Sequence, residues 1–187
     1  EILPDLKADA IVTDPPYGTE ALGGGYGRRQ LANNGNLGHT IAGDTDLKVF
    51  ASAAAMFGSI CSWNGWVTAF CSARRRRETE DVLLVAGLEI IGEAVWDKRC
   101  PGLGYTIRYA HETVIVAVAG KPKPAMPLLS VLRGYRTSQA MSERHPHEKP
   151  VEVMGRLVEF ASNPGQVVLD PFMGSGATLI AAQGLGR

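Results

Sequence analysis

The 187 residues fit one domain and 45% of them are hydrophobic, enough to bury a core, which excludes a disordered chain or a peptide-sized scaffold. Nineteen Lys plus Arg stand against 19 Asp plus Glu, so no global field draws the chain to nucleic acid or to a membrane, and a polyanion has to meet a local patch. Three cysteines in no CxxC spacing (Cys61, Cys71, Cys100) exclude a disulfide framework and a cysteine-rich zinc site and point to a reducing cytoplasm, and no apolar run reaches the roughly 20 residues of a membrane span.

Ala10-Ile11-Val12-Thr13 reads as a buried strand, stopped by Asp14-Pro15-Pro16-Tyr17-Gly18 because two prolines cannot continue a ladder. Residues 18–44 hold eight glycines and three asparagines without periodicity, the pattern of a long functional loop. Residues 45–60 space their apolar groups as one helix, with Thr45 or Asp46 as its cap. Trp66–Cys71 follows as a buried strand, then Arg74 to Arg77 leading into a helix over 78–86 closed by Gly87. Leu88–Trp96 and Thr113–Ala119 read as two strands, and Pro122, Pro124 and Pro127 mark an irregular segment. A helix is expected over 150–161, a buried strand over 167–169, and a last helix over 177–183 behind Asp170-Pro171-Phe172-Met173-Gly174-Ser175-Gly176. Alternation of this kind predicts an α/β fold with a mainly parallel sheet flanked by helices. The chain lacks an initiator Met and stops just behind a helical pattern, which reads as a trimmed fragment of one domain spanning 1–187.

In such a sheet ligands sit beyond the carboxyl ends of the strands, and an Asp-Pro turn stands at two of those ends. Asp14 offers acceptors, the Pro15 carbonyl is free, Pro16 holds the chain off the sheet, and Tyr17 supplies an aromatic face. These suit a planar ring carrying an exocyclic NH2, whose two protons go to Asp14 and to the Pro15 carbonyl. At the other end, Gly174 and Gly176 permit a tight turn before a helix N-terminus, and Asp170 offers a carboxylate to a cationic amino group. The loop lacks the Lys-Ser/Thr of a P-loop and the full G-x-G-x-x-G spacing, so neither a triphosphate nor a dinucleotide is expected.

Asp14-Pro15-Pro16-Tyr17 resembles the catalytic motif of the amino-group DNA methyltransferases that use S-adenosylmethionine. Asp170 to Thr178 resembles their methyl-donor motif, and His145-Pro146-His147-Glu148-Lys149-Pro150 the segment that precedes it in the permuted beta subgroup. The order, catalytic motif first, is that of the subgroup. The resemblance covers nearly the whole chain and implies a circularly permuted, Rossmann-like methyltransferase fold. It implies donor contacts from Asp170, Pro171, Phe172, Gly174, Ser175, Gly176 and Thr178, with Lys149 on the donor carboxylate. It implies attack by a flipped base's amine on the sulfonium methyl with no covalent intermediate, in keeping with no cysteine following a proline. Asp before Pro-Pro-Tyr resembles the adenine N6 enzymes more than the cytosine N4 enzymes, and a restriction-modification setting belongs to the same resemblance. A degenerate, non-catalytic DNA- or cofactor-binding module is the competing reading.

Double-stranded DNA is the expected partner, with a homodimer left open and no membrane contact. Residues 98–136 carry seven basic groups against one acidic group, the local patch that a neutral chain needs. DNA contact is expected from Arg28 and Arg29 in the loop, from Arg74 and Arg75 beyond a strand end, and from Lys98, Arg99, Arg133 and Arg136. Target recognition is expected from 18–44 or 121–144. The two histidines at 145 and 147 lack a third ligand nearby, so no metal is assigned.

Overall fold

The run Ala8–Thr13 forms strand β1, and every residue of it except Asp9 is buried, so both faces of its pleat are covered. The computed structural model describes residues 7–18, 46–101, 106–134 and 148–187. In it β1 joins β2 (Cys61–Cys71), β3 (Glu89–Asp97), β4 (His111–Ala119), β5 (Val131–Arg133) and β6 (Val168–Leu169) in one sheet of order β5-β3-β4-β2-β1-β6. The helices are α1 (Lys48–Ala54), α2 (Phe57–Ile60), α3 (Arg76–Val85), α4 (Val151–Ala161) and α5 (Ala177–Gly184).

Successive strand residues point to opposite faces, and the core divides accordingly. Ala10, Val12, Phe70, Val114 and Val116 pack with Met154, Leu157 and Val158 of α4 and Ala181 of α5 on one side. Ile11, Val67, Ala69, Ile115 and Ala117 pack with Phe50, Phe57 and Leu83 of α1, α2 and α3 on the other. The result is the three-layer α/β arrangement that the alternation of elements predicts.

β1 pairs in parallel with β2 and β6, and β3 with β5, whereas β4 is antiparallel to both β2 and β3. Five of the six strands thus point one way, and the reversed β4 begins at the edge where the others end. Glu112 near its start therefore joins Asp14, Lys98, Arg133 and Asp170 at that one edge.

Three expectations are corrected. The helix expected over 45–60 breaks at Ala55-Met56 into α1 and α2. Phe50, Ala54 and Phe57 face one cluster on both sides of the break, so helical spacing persists where the helix does not. Asp46 still accepts from the Lys48 N–H at 2.9 Å, although Leu47 occupies the cap position. β5 was not expected, since a three-residue strand behind a proline-rich segment has no period to read. Finally, β6 is only partly buried, because among the described residues it pairs with β1 alone and Val167 beside it is half exposed.

Among the described residues no helix is long and apolar enough to cross a membrane, and no three His, Cys, Asp or Glu side chains are grouped to hold a metal ion.

Candidate functional site

The chain leaves β1 at Thr13 and turns through Pro15, Pro16 and Tyr17 to Gly18. A Cβ on Gly18 would lie 2.8 Å from the Asp46 backbone, and its φ of 63° is one that side-chain-bearing residues avoid, so this corner requires glycine. Arg75 holds the same corner, donating to the Gly18 carbonyl at 2.9 Å while pairing with Glu78. The turn that carries Asp14 and Tyr17 is thereby clamped from the α1 and α3 side.

Asp14 faces a cluster drawn from four elements. Its Oδ1 accepts from the Tyr17 hydroxyl at 2.7 Å and its Oδ2 from Lys149 Nζ at 2.6 Å. Glu112 Oε2 lies 2.8 Å from the same hydroxyl and 3.2 Å from the same ammonium, and its Oε1 lies 3.3 Å from Lys98 Nζ. Lys149 is only 7% exposed, and its Nζ sits 5.2 Å from the Phe70 ring centre and 5.3 Å from that of Tyr17. A buried ammonium among rings and two carboxylates is tolerable only because both carboxylates are charged or hydrogen-bonded to it.

Titration follows from this crowding. Burial pushes the Asp14 carboxyl above its ordinary range against the opposing pull of Lys149 and Tyr17, and the charge of Glu112 adds to the rise. Burial acts the same way on Glu112, but Lys149 and Lys98 outweigh it and hold that carboxyl below the ordinary range. For Lys149, burial favours the neutral amine and the two carboxylates prevail, keeping the ammonium above its usual value. Burial, then Asp14 and Glu112, push the Tyr17 phenol well above its usual value, so it stays a hydrogen-bond donor.

The second Asp-Pro turn lies alongside. Asp170 Oδ1 accepts from the Thr13 hydroxyl at 2.7 Å and the Phe172 N–H at 3.0 Å, and Oδ2 from the Thr178 hydroxyl at 2.6 Å. Asp170 therefore ties β1, its own turn and the first turn of α5 together, a structural duty beside the ligand contact expected of it. A Cβ at Gly176 would meet nothing within 4 Å, and one at Gly174 only the Phe172 carbonyl at 3.8 Å. Both glycines have positive φ, 83° and 49°, and leave open space over a helix N-terminus whose first N–H groups have no partner within the helix. Ser175 is half-buried and Pro171 exposed in this turn, while Phe172 packs on the Phe50 side of the core with ring centres 6.4 Å apart.

Several residues fall elsewhere than expected. Lys149, expected on the donor carboxylate, meets the carboxylates of Asp14 and Glu112. Lys98 and Arg75, expected on DNA, are engaged within the chain by Glu112 and by Gly18 and Glu78, and both are largely buried. Arg74, Arg99 and Arg133 are exposed at or just beyond the ends of β2, β3 and β5, with Arg74 5.8 Å from the Tyr109 ring centre and Arg99 at a φ of 52°. Arg28, Arg29, Arg136, His145 and His147 lie outside the described residues, as do all of the expected 18–44 recognition segment beyond Gly18 and residues 135–144 of the other. Sequence reasoning missed Glu112 and Thr13. The only signal for Glu112 was an acidic residue opening an apolar strand, and its meaning depends on the direction of β4.

The thiols stand apart. Burial pushes Cys71 up to about 12 and Cys61 to about 11, so neither is a thiolate nucleophile at neutral pH.

A family model described as DNA methylase, N6_N4_Mtase, matches residues 8–187. The chain is 34% identical to YubD of Escherichia coli (strain K12), provisionally named a methylase, over 98% of this chain and 75% of that protein. Among solved structures, M1.HpyAVI in its complex with SAM is 26% identical, covering 98% of this chain and 80% of that one at a TM-score of 0.67. The PvuII DNA methyltransferase, cytosine-N4-specific, is 15% identical with a TM-score of 0.72 over 98% of this chain and 74% of that one, a likeness of fold alone.

Proposed function

This chain belongs to the N6_N4_Mtase family of DNA methylases, and on that premise we propose that it transfers a methyl group from S-adenosylmethionine to the exocyclic N6 amine of a flipped adenine in double-stranded DNA. The observation that carries the reading is a carboxylate acceptor, Asp14, joined through its neighbour Thr13 and a 2.7 Å hydrogen bond to the glycine-bearing turn at Asp170. The open space over Gly174 and Gly176 fits a ligand brought close to backbone, and Phe172, Ser175, Gly176 and Thr178 are the residues to hold it. When bound, S-adenosylmethionine supplies an electrophilic sulfonium methyl.

The chain's own part is to make a poor nucleophile competent. An aromatic amine delocalises its lone pair into the ring. Hydrogen bonds from its two protons to Asp14 Oδ1 and the Pro15 carbonyl favour a pyramidal nitrogen with the lone pair localised. Tyr17 gives the flipped base a stacking face, Pro16 keeps the turn rigid, and the raised Asp14 carboxyl is suited to take up the proton released on methylation. The exposed Arg74, Arg99 and Arg133 lie at the same edge of the sheet, where phosphate contacts position a duplex without reading its sequence. We read residues 1–187 as one catalytic unit.

Adenine is preferred because Asp precedes Pro-Pro-Tyr; cytosine N4 presents a similar N–C–NH2 edge and is the second reading. The test is titration calorimetry with S-adenosylmethionine, followed in the same sample by radiolabelled transfer to mixed-sequence DNA and identification of the labelled nucleoside. Label on N6-methyladenine is the expected result. Label on N4-methylcytosine moves the reading to cytosine, and binding without transfer favours a non-catalytic module.

A further inference from the structure

Asp14 has a donor on each oxygen before any substrate arrives: the Tyr17 hydroxyl on Oδ1 and the Lys149 ammonium on Oδ2. A target amine that binds Oδ1 therefore shares that oxygen with the phenol, and each donor on it weakens what the carboxylate offers the other. A phenol carries one proton and serves one acceptor at a time, and the other acceptor within reach of this one is Glu112 Oε2, at 2.8 Å against 2.7 Å for Asp14. Glu112 also takes part of the Lys149 ammonium, at 3.2 Å, while Lys98 steadies its second oxygen at 3.3 Å.

We propose that Glu112 is a positioning residue that draws the Tyr17 hydroxyl and part of the Lys149 ammonium away from Asp14, and so opens Asp14 Oδ1 to the target amine. The proposal rests on the methyl-transfer reading for its consequence, but not for its geometry. Glu112 touches no reacting atom; it acts through Tyr17 and Lys149. The charged and titratable groups facing Asp14 are Tyr17 from its own turn, Glu112 from β4 and Lys149 from the segment before α4, with Lys98 behind Glu112 from the end of β3. Taking the charge from Glu112 leaves Lys149 to Asp14 alone, so the Asp14 carboxyl ionises more easily and grips its present partners more firmly. Taking the charge from Lys98 acts in the opposite direction.

The experiment compares wild type, Glu112→Gln, Glu112→Asp and Lys98→Met. The titration midpoint of Asp14 is followed by the carbon-13 shift of its labelled carboxyl, assigned with Asp14→Asn. Radiolabelled transfer to mixed-sequence DNA and calorimetric affinity for S-adenosylmethionine are measured on the same samples. Expected are a lowered Asp14 midpoint and about 100-fold slower transfer in Glu112→Gln, with donor affinity retained. Glu112→Asp recovers most of the midpoint and part of the rate, and Lys98→Met raises the midpoint. An unmoved midpoint in both Glu112→Gln and Lys98→Met overturns the proposal, as does a slowed Glu112→Gln whose midpoint stays in place, which marks a merely structural residue. Absence of transfer by the wild type defeats the methyl-transfer reading, and the midpoints still decide for or against the role of Glu112 at Asp14.

Discussion

The two Asp-Pro turns begin with the same dipeptide at the ends of adjacent strands and carry opposite kinds of surroundings. Asp170 is held by two threonine hydroxyls and a backbone N–H, two of the three from its own turn and helix. Asp14 is held by an ammonium and a phenol, with a second carboxylate competing for both. Neutral donors fix the Asp170 carboxylate in place and hold the shape of its loop. Burial raises the Asp14 carboxyl against the pull of Lys149 and Tyr17, with the charge of Glu112 adding to the rise. Local hydrogen bonding thus distinguishes two aspartates that the shared dipeptide does not.

Asp14→Ala breaks the contrast most severely. Methyl transfer falls by at least about 1,000-fold, the scale of losing a preorganised acceptor, while donor affinity measured by calorimetry is retained. Equal loss of donor affinity in Asp14→Ala and Asp170→Ala would sink the division between the two turns, since only Asp170→Ala is expected to weaken donor binding.

Lys149→Met tests how far the first turn depends on its buried charge. It strands two carboxylates against each other and costs about 3–5 kcal/mol in urea unfolding at neutral pH, with part regained on acidification as a carboxylate protonates. Thr13→Val tests the bridge between the turns and costs about 1–3 kcal/mol through an Asp170 oxygen left short of a donor, with weaker donor binding in the same calorimetric titration.

Stability against pH sharpens the comparison further. Glu112 is depressed in the folded chain, so it contributes stability above the ordinary Glu pKa and loses it as pH falls through its depressed value. Asp14 is raised, so its contribution is present at low pH and lost as pH rises through its raised value. The two oppose each other within the acidic range. Thermal unfolding of Glu112→Gln is therefore expected to show a shallower loss on acidification than wild type, and an identical pH curve would remove Glu112 from the balance.

The smallest effects fall on the exposed arginines. Arg74→Ala, Arg99→Ala and Arg133→Ala leave folding stability within about 0.5 kcal/mol. Each is expected to lower the salt slope of duplex binding by about one, read by fluorescence anisotropy on a mixed-sequence duplex. Unaltered slopes in all three would move the DNA contact away from this edge.

The chain's linear order was enough to determine the α/β class, the run of β1 into Asp14-Pro15-Pro16-Tyr17, and the Gly174–Gly176 turn before α5. Those features depend on near neighbours: apolar runs, prolines that end a ladder, and glycines that permit a turn. The partners of the two aspartates were not legible in this way. Glu112 reaches Asp14 because β4 runs against the other strands, and Lys149 because the start of α4 packs beside the same edge. Lys98 and Arg75 read as DNA-contacting cations and are largely buried partners within the chain for the same reason. Strand direction and helix docking are set by the packing of the whole sheet, so the tertiary structure alone decided which charges meet at Asp14.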